Sequence, residues 1–384
     1  MKIKRFTLLS LTALLITSVV FISYSEKKEH YFPRTNTYLS LKNQFLAGSQ
    51  QFIADIKFNR SIDGLDPLEM AAAVKAANKM RKSSKTLDIN WRFKGPDNVG
   101  GRTRSIIIDI NDTTHILAGG VSGGIWESFD GAVSWQPYDS DFKISNVSAM
   151  AQGPDGTIYV GTGSNFDGSN NNKAKSSYFL GNGLFKLTGN GTSELLIGPN
   201  LNNTFGAEWS TVNNIAVNPN DADHILAATG TGLRESKDGG STWTAPINSI
   251  AGACYDVEIL GSNIVVTYSE TVLSSQDGGL NYTAVSFAGA RRIEVAIAPS
   301  NSDIMFASAT NFSNCLEGIY RSNDAGLNWV KINNTPDFFG AGRTVGACQG
   351  FYDNTITIHP TIPGKIFVGG VDVLQWNQSS VDPA

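Results

Sequence analysis

From residue 90 onward the chain alternates between short runs of apolar, β-branched and aromatic residues and clusters of Gly, Asn, Asp, Ser and Thr. Such runs, bounded by turn-forming residues, are typical of strands joined by tight turns. The pattern predicts repeated units of strand, turn, strand, Gly-rich loop, strand, turn and strand. Residues 26–89 differ, because they contain an Ala-rich run over residues 65–81 and few turn clusters.

Two sequence patterns recur within these units. One is a pair of apolar runs around a turn, and it covers residues 107–119, 215–228, 295–308 and 356–369. The other is an eight-residue segment with Ser, Asp, a small residue and an aromatic residue at fixed positions, which we call the Ser-x-Asp turn. Its four copies contain Ser128, Asp130 and Trp135; Ser236, Asp238, Gly240 and Trp243; Ser275, Asp277 and Tyr282; and Ser322, Asp324 and Trp329.

The spacing of the four turns indicates the fold class. Their aromatic positions are 108, 39 and 47 residues apart, and the first interval accommodates two units with a degraded copy over residues 183–191. Four strands in about 40–50 residues, repeated along the chain, are typical of the blades of a β-propeller. The sequence therefore predicts an all-β protein, a β-propeller of four-stranded antiparallel blades, about five complete and one partial.

We interpret the Ser-x-Asp turns as structural rather than catalytic. The Asp carboxylate is suited to accept hydrogen bonds from backbone N–H groups of its own turn, and the following Gly permits a positive φ. The aromatic ring is expected to fold back onto the blade. In a propeller this turn joins the third and fourth strands, on the face opposite the loops that usually bind ligands.

The Ser-x-Asp turns resemble the Asp-box (BNR) repeats of sialidases, sortilins and xyloglucanase-type glycosidases. Residues 91–104 and 119–126 further resemble the opening of large secreted bacterial sortilin-like propeller proteins. The resemblance extends over about residues 90–384 and implies the propeller fold. It implies little about activity, because Ser122 precedes the Gly-Gly pair where xyloglucanase-type enzymes carry an acid, and the early Phe/Tyr-Arg-Ile-Pro motif of sialidases is absent.

Residues 1–25 predict an export signal. Residues 1–5 are basic and residues 6–24 form an uncharged run, which is the order of a secretory signal peptide. Ser23 and Ser25 provide small residues for cleavage after Ser25. Because the uncharged run is also long enough to span a bilayer, an uncleaved membrane anchor stays open. In both cases we expect the remainder to be secreted or at the cell surface.

Residues 26–89 predict a helical or irregular spacer between the signal and the propeller of residues 90–384. Asp66 is suited to cap a helix that has Pro67 at its first position and Glu69 three residues after the cap. At the other end, the sixth unit stops after Trp376 without a Ser-x-Asp turn. We therefore expect a propeller truncated at its C-terminus; a six-bladed ring completed by residues 91–94 is the alternative.

Composition restricts the partners. A formal net charge of −4 and the lack of a basic stripe argue against a nucleic-acid-binding protein. Three cysteines without CxxC spacing and four scattered histidines give no metal-ligating pattern, so neither a metal nor a cofactor is expected. Contact with a membrane is expected only through the N-terminal segment.

Function is expected on the loops that join blades and on those between second and third strands. The binding candidates there are Asp167, Glu208, Trp209, Glu317, Arg343, Tyr352, Asp353 and Asp372. Cys315 and Cys348 fall in neighbouring loops of this face, and in an exported chain they are candidates for a disulfide. Cys254 is expected to be a buried free thiol.

Two functions follow from this pattern. We favour an exported, non-catalytic interaction module that binds protein or carbohydrate on its loop face. The alternative is a glycoside hydrolase of the xyloglucanase or sialidase-like BNR type, with acid and base residues partly outside this chain. Glycoside hydrolysis usually needs two carboxyl groups flanking the scissile bond. No such pair is identified from the sequence, so no catalytic residue is assigned.

Overall fold

A computed structural model of the protein contains six small antiparallel sheets, each forming one blade of a β-propeller. The structure describes residues 101–139, 144–167, 181–199, 208–246, 250, 252–340 and 348–377, together with residues 72, 75, 76 and 79. The last four are helical, and the rest of the predicted signal and spacer lies outside the described residues. Within the described ranges, no helix has the length and apolar character needed to cross a bilayer.

The first three sheets follow one another along the chain. The first consists of β1 (Thr103–Ile108), β2 (Ile116–Gly120), β3 (Gly124–Ser128) and β4 (Gln136–Pro137). The second consists of β5 (Val147–Gln152), β6 (Ile158–Thr162), β7 (Leu184–Gly189) and β8 (Thr192–Ile197). The third consists of β9 (Val212–Asn218), β10 (Asp221–Thr229) and β11 (Gly232–Ser236), and a single bridge between Glu235 and Thr244 stands where a fourth strand would pair.

The remaining sheets repeat this order. The fourth consists of β12 (Asp256–Leu260), β13 (Asn263–Thr267), β14 (Thr271–Ser275) and β15 (Thr283–Ser286). The fifth consists of β16 (Ala290–Ile297), β17 (Met305–Asn311), β18 (Leu316–Ser322) and β19 (Val330–Ile332). The sixth consists of β20 (Thr355–Ile358), β21 (Lys365–Gly369) and β22 (Val373–Asn377), preceded by the one-turn helix α1 (Gly350–Asp353). The predicted all-β propeller of antiparallel blades is confirmed; in the described residues four of the six sheets have four strands, and the third and the sixth have three.

Each pair of consecutive sheets encloses one apolar cluster, so the core is divided into five interfaces. Between the first two sheets, for example, Leu117 packs with Val147 and Val160. Glycine on a second strand allows a similar approach between the second and third sheets: a Cβ on Gly161 of β6 would lie 2.6 Å from Cγ1 of Val212. Interdigitating side chains therefore hold the blades together.

The outer faces of the first and sixth sheets are less covered. Ile106 and Ile108 alternate with the buried Ile107 on β1 and keep 64% and 57% of their surface exposed. On β20, Thr355 and Thr357 are exposed while Ile356 and Ile358 are buried. Among the described residues no apolar cluster joins the sixth sheet to the first; Arg102 and Arg104 instead donate hydrogen bonds to Tyr352, in the helix that precedes the sixth sheet.

The four Ser-x-Asp turns share one hydrogen-bond pattern. In the third copy, the Ser275 hydroxyl donates to Asp277 Oδ1 at 2.8 Å, and it accepts from the Gly279 N–H at 2.9 Å. The Asn281 side chain and backbone N–H donate to the two oxygens of Asp277 at 2.8 and 3.0 Å. These bonds, with the Asn281 side chain as the largest cause, lower the pKa of Asp277 to about 2. All of these hydrogen bonds lie within the turn, so the Asp277 carboxylate stabilises the turn itself.

A disulfide lies on the face opposite these turns. Cys315, in the loop between β17 and β18, is bonded to Cys348, two residues before α1. Next to it, Asp337 accepts the N–H groups of Leu316 at 3.0 Å and Phe339 at 2.8 Å. The segment that leads into the sixth sheet is thereby attached to the fifth. Cys254, in contrast, is a buried free thiol.

Candidate functional site: the central cavity

The first strands of all six sheets converge on one cavity of about 390 Å³. Alternate side chains of a strand leave it on the same face. The inward positions of these strands carry polar or charged groups at the hub, including Arg104 on β1, Asp256 and Glu258 on β12, and Arg292 and Glu294 on β16. A polar cavity at the axis therefore follows from two alternating pairs of charged residues on β12 and β16.

Asp256 is a buried structural acid that connects three sheets. Its Oδ2 accepts the Val295 N–H of β16 at 2.8 Å, and its Oδ1 accepts the Val257 N–H at 2.9 Å and the side-chain amide of Asn214 on β9. Burial raises the pKa of this carboxyl despite these donors. With its acceptors used, Asp256 holds the third, fourth and fifth blades together at the cavity wall.

Arg292 and Glu294 form a second structural pair. Arg292 donates from Nε and Nη2 to Glu294 Oε1 at 2.9 and 2.7 Å, and from Nη1 to the Phe351 carbonyl at 2.8 Å. Its guanidinium carbon lies 3.7 Å from the centre of the Phe166 ring. The Glu294 side chain keeps 16% exposure, and burial outweighs the nearby guanidinium, so the pKa of Glu294 rises to about 8.

Glu258 differs from the other acids of the cavity. Burial, and then the negative charges of Asp256 and Glu294, raise the pKa of Glu258 to about 8. Within the part of the chain that the structure describes, its carboxyl group forms no hydrogen bond or ion pair. Glu258 is therefore the lining carboxyl that is free to meet a ligand.

The segment around α1 completes the wall. Arg102 donates to the Tyr352 hydroxyl at 2.6 Å, and Arg104 donates to the Tyr352 carbonyl at 3.2 Å, which connects β1 to the entry of the sixth sheet. Oδ1 of Asp353 is buried and accepts no hydrogen bond among the described residues, and burial raises the pKa of this carboxyl. Tyr352 and Asp353 are the two predicted binding residues that line the cavity.

The other predicted residues lie elsewhere. Trp209 is 3% exposed and packs edge-on against Trp243 at 5.0 Å between ring centres, which puts its side chain in the core rather than on the loop surface. Glu208, Glu317 and Asp372 do not line the cavity. Glu208 forms an ion pair with Arg234, and Glu317 forms one with Lys331 at 2.9 Å. The Asp372 N–H donates to the Phe338 carbonyl at 3.1 Å. Arg343 and the side chain of Asp167 lie outside the described residues.

The sequence-based search concentrated on loops and therefore missed Asp256, Glu258 and Glu294. A usable signal existed, because Asp256 and Glu258 occupy alternate positions of β12, as Arg292 and Glu294 do on β16. Charges at every second position of a strand that is otherwise apolar indicate a wet cavity on one face of it.

One group of side chains among the described residues has the spacing of a metal site: Cys315, Asp337 and Cys348. Both cysteine sulfurs are bonded to each other, and thiolates, not disulfide sulfurs, are the ligands that metals prefer. The three groups therefore form a structural junction in this state of the protein.

Comparisons with known proteins were informative for the fold. No protein-family model and no curated protein matches the sequence. Among solved structures, an ancestral GH74 enzyme is similar over 73% of this chain and 37% of its own, with 18% identity and a TM-score of 0.51. The chain thus spans little more than a third of that enzyme, and at this identity the similarity shows a shared fold alone.

Two further solved structures are similar to this chain with lower TM-scores. The GH74 xyloglucanase from Xanthomonas campestris is similar over 72% of this chain and 52% of its own, with 16% identity and a TM-score of 0.40. YCF48 bound to D1 peptide is similar over 77% of this chain and 100% of its own, with 13% identity and a TM-score of 0.38.

Proposed function

We propose that this protein is an exported binding module that holds the end of a glycan in its central cavity. The observation that carries the proposal is Glu258, a carboxyl without a protein partner that faces a polar cavity at the hub of the propeller. A buried polar group without a partner is unfavourable, and a ligand that supplies the missing hydrogen-bond partner gains what the protein alone lacks.

A glycan suits the size and the chemistry of this site. Ligand pockets usually have volumes of about 300–1,000 Å³, and the cavity of about 390 Å³ lies at the small end of that range. Its wall presents carboxyl, amide and hydroxyl groups from all six sheets, including Asn213, Ser148 and Thr355. Hydroxyl groups of a sugar both donate and accept hydrogen bonds, so they complement a wall of this kind.

Export is the second part of the proposal. It is supported by the basic start and the uncharged run of residues 6–24 in the sequence. The disulfide between Cys315 and Cys348 agrees with it, because such bonds persist in oxidising compartments outside the cytoplasm.

Calorimetric titration with soluble oligosaccharides tests the proposal. The panel should include neutral, acidic and amino-substituted tetramers, and we expect at least one class to bind. Glu258→Gln should weaken that binding on the order of tenfold or more, since it replaces the carboxyl group that meets the ligand. Glu317→Gln, which changes an acid outside the cavity, is the matched control. If both variants bound the oligosaccharide with equal affinity, the ligand would have to bind outside the central cavity.

Glycoside hydrolysis is the second candidate function, and one observation favours it. Glu258 and Glu294 have pKa values of about 8, and a general acid must stay protonated near neutral pH. Hydrolysis would be supported if the wild-type protein released reducing ends from xyloglucan or another polysaccharide and Glu258→Gln did not. If the wild-type protein bound oligosaccharides but released no reducing ends, the result would favour the binding module.

A further inference from the structure

The first and sixth sheets border an opening in the ring of blades. The face of β1 that carries Ile106 and Ile108 lies opposite the face that packs on the second sheet. The face of β20 that carries Thr355 and Thr357 lies opposite the face that packs on the fifth sheet. In a ring of consecutive blades these two exposed faces flank the same gap, which we call the slot.

The wall of the slot on the first sheet is apolar. Directly paired residues share one face of a sheet, and the register puts Trp126 of β3 in the row of Ile106. Ile108 occupies the position that is Ala216 in the third sheet and Ala296 in the fifth, and both alanines are buried. A large apolar side chain is therefore exposed on β1 where the repeat elsewhere buries a small one.

The wall on the sixth sheet combines an aromatic ring with hydrogen-bonding groups. Thr357, Phe367 and Gln375 form one row across β20, β21 and β22. Thr357 and Gln375 are exposed, and their side chains can both donate and accept hydrogen bonds. Neither this row nor the row of Ile106 contains a charged residue. Such walls match a sugar chain, whose rings have apolar C–H faces and hydroxyl groups at their edges.

The slot is continuous with the central cavity. Arg104 lines the cavity two residues before Ile106, and Thr355 lines it two residues before Thr357. Alternate residues of a strand share a face, so the cavity wall and the slot wall are successive parts of the same two faces. A chain whose end lies beside Glu258 can therefore extend into the slot.

We propose that the slot is a binding surface for an uncharged, unbranched glycan, which passes between the first and sixth sheets and ends in the central cavity. The inference rests on the proposed glycan-binding function and adds the class of glycan and the path of its chain. A charged sugar would find no counter-ion in either row, and a branch would meet the sheet faces that flank the chain on both sides.

Oligosaccharide length tests this path. Calorimetry with the full chain compares the dimer and the hexamer of two uncharged, unbranched backbones, β-1,4-linked glucose and β-1,4-linked mannose. For at least one backbone we expect the hexamer to bind on the order of tenfold tighter, since only the hexamer extends from the cavity to Ile106 and Ile108. Ile108→Ser should remove most of this advantage, while Val330→Ser, which changes an exposed residue of β19, should keep it.

A covalent block of the slot provides a second measurement. Thr357→Cys, modified with a maleimide-linked polyethylene glycol, should lose the binding of the hexamer, and Val330→Cys with the same modification should keep it. The label is selective because Cys254, the free thiol of the protein, is buried.

The outcomes separate the slot from the proposed function. Equal affinities of dimer and hexamer, or unchanged binding after modification at residue 357, would overturn the slot and leave glycan binding in place. Binding of an acidic or amino-substituted tetramer, but of neither uncharged backbone, would do the same. Self-association of the wild-type protein that Ile108→Ser abolishes would assign the slot to a second copy of the chain. No binding of any oligosaccharide would overturn both proposals.

Discussion

Arg292 and Glu294 lie two residues apart on β16 and are joined by two hydrogen bonds of 2.9 and 2.7 Å on the wall of the central cavity. Alternate residues of a strand share a face, so this spacing puts both side chains at the hub. The same guanidinium group donates to the Phe351 and Asn354 carbonyls at 2.8 and 3.2 Å. The pair thus connects the fifth blade to the entry of the sixth.

Arg292→Ala is expected to lower the free energy of unfolding by about 3 kcal/mol, because it leaves an enclosed carboxyl and two carbonyls without their donor. Urea denaturation at neutral pH measures this change. Lys331→Ala is the control, since the ion pair of Lys331 with Glu317 is exposed and worth less than about 1 kcal/mol. A loss as small as that of the control would mean that the pair does not hold the two blades together.

The pKa of Glu258 predicts how stability depends on pH. This pKa is about 8 in the folded protein, against a usual value of 4.5. Between these values the folded state binds more protons than the unfolded state, so the contribution of Glu258 to stability falls as the pH rises through this window and is constant above it. Glu258→Gln abolishes this contribution.

The melting temperature of Glu258→Gln, compared with that of the wild type, should therefore improve more at pH 9 than at pH 5. Scanning calorimetry at the two pH values measures the difference. Comparing variant with wild type separates Glu258 from Glu294, which has a similarly raised pKa. The same shift in melting temperature at both pH values would refute the raised pKa.

Local chemistry explains why the fold could be predicted from the sequence. The Ser-x-Asp turn needs its own Ser and Asp for its hydrogen bonds, so each copy marks the end of a third strand without knowledge of the rest. The degraded copy in the second sheet is a two-residue turn of Asn190 and Gly191, both with positive φ, of the kind that joins hairpins. The order of the blades could therefore be predicted from the positions of these turns in the sequence.

The site depended on contacts that no local pattern contains. Tyr352 and Asp353 were chosen as candidates because they lie in a long loop, yet Glu258, which lines the same cavity, lies on β12, about a hundred residues earlier in the sequence. Only the convergence of blades puts these groups on one cavity, and strand periodicity gives their face but not their neighbours. Trp209 was misplaced for the same reason: its burial against Trp243 is a contact between distant segments.

We predict that replacing Ala132 by glycine stabilises the protein. It has a φ of 72° at a position that is Gly240, Gly279 or Gly326 in the other Ser-x-Asp turns. A left-handed conformation costs an L-residue about 1–2 kcal/mol, while glycine loses about 0.5–1 kcal/mol more chain entropy on folding. Ala132→Gly should therefore raise the free energy of unfolding by about 0.5 kcal/mol.

The reverse exchange, Gly240→Ala, should destabilise the protein by a larger amount. Its Cβ would take the unfavourable φ of 91° and would also lie 2.7 Å from Cδ1 of Leu196. Chemical denaturation of both variants, side by side, checks the opposite signs. Two changes of the same sign would contradict the assignment of strain to this turn position.

The disulfide between Cys315 and Cys348 closes a segment with a sequence separation of 33. Restricting the unfolded chain over a loop of this length is worth about 3–4 kcal/mol. The double variant Cys315→Ser/Cys348→Ser should lose about that amount of stability, measured by denaturation without reductant. It should also bind ligand more weakly, because Tyr352 and Asp353, which line the cavity, lie in the one-turn helix that begins two residues after Cys348.

Reductant provides the matched control for this prediction. A dithiol should reproduce both losses in the wild-type protein, as it reduces the bond to two thiols while being oxidised itself. It should have no further effect on the double variant, whose remaining cysteine, Cys254, is buried and unpaired. If the reduced wild-type protein kept its melting temperature and its affinity, the junction between the fifth and sixth blades would have to be held by the packing around Phe338 and Phe339 instead, since both rings are fully buried beside it.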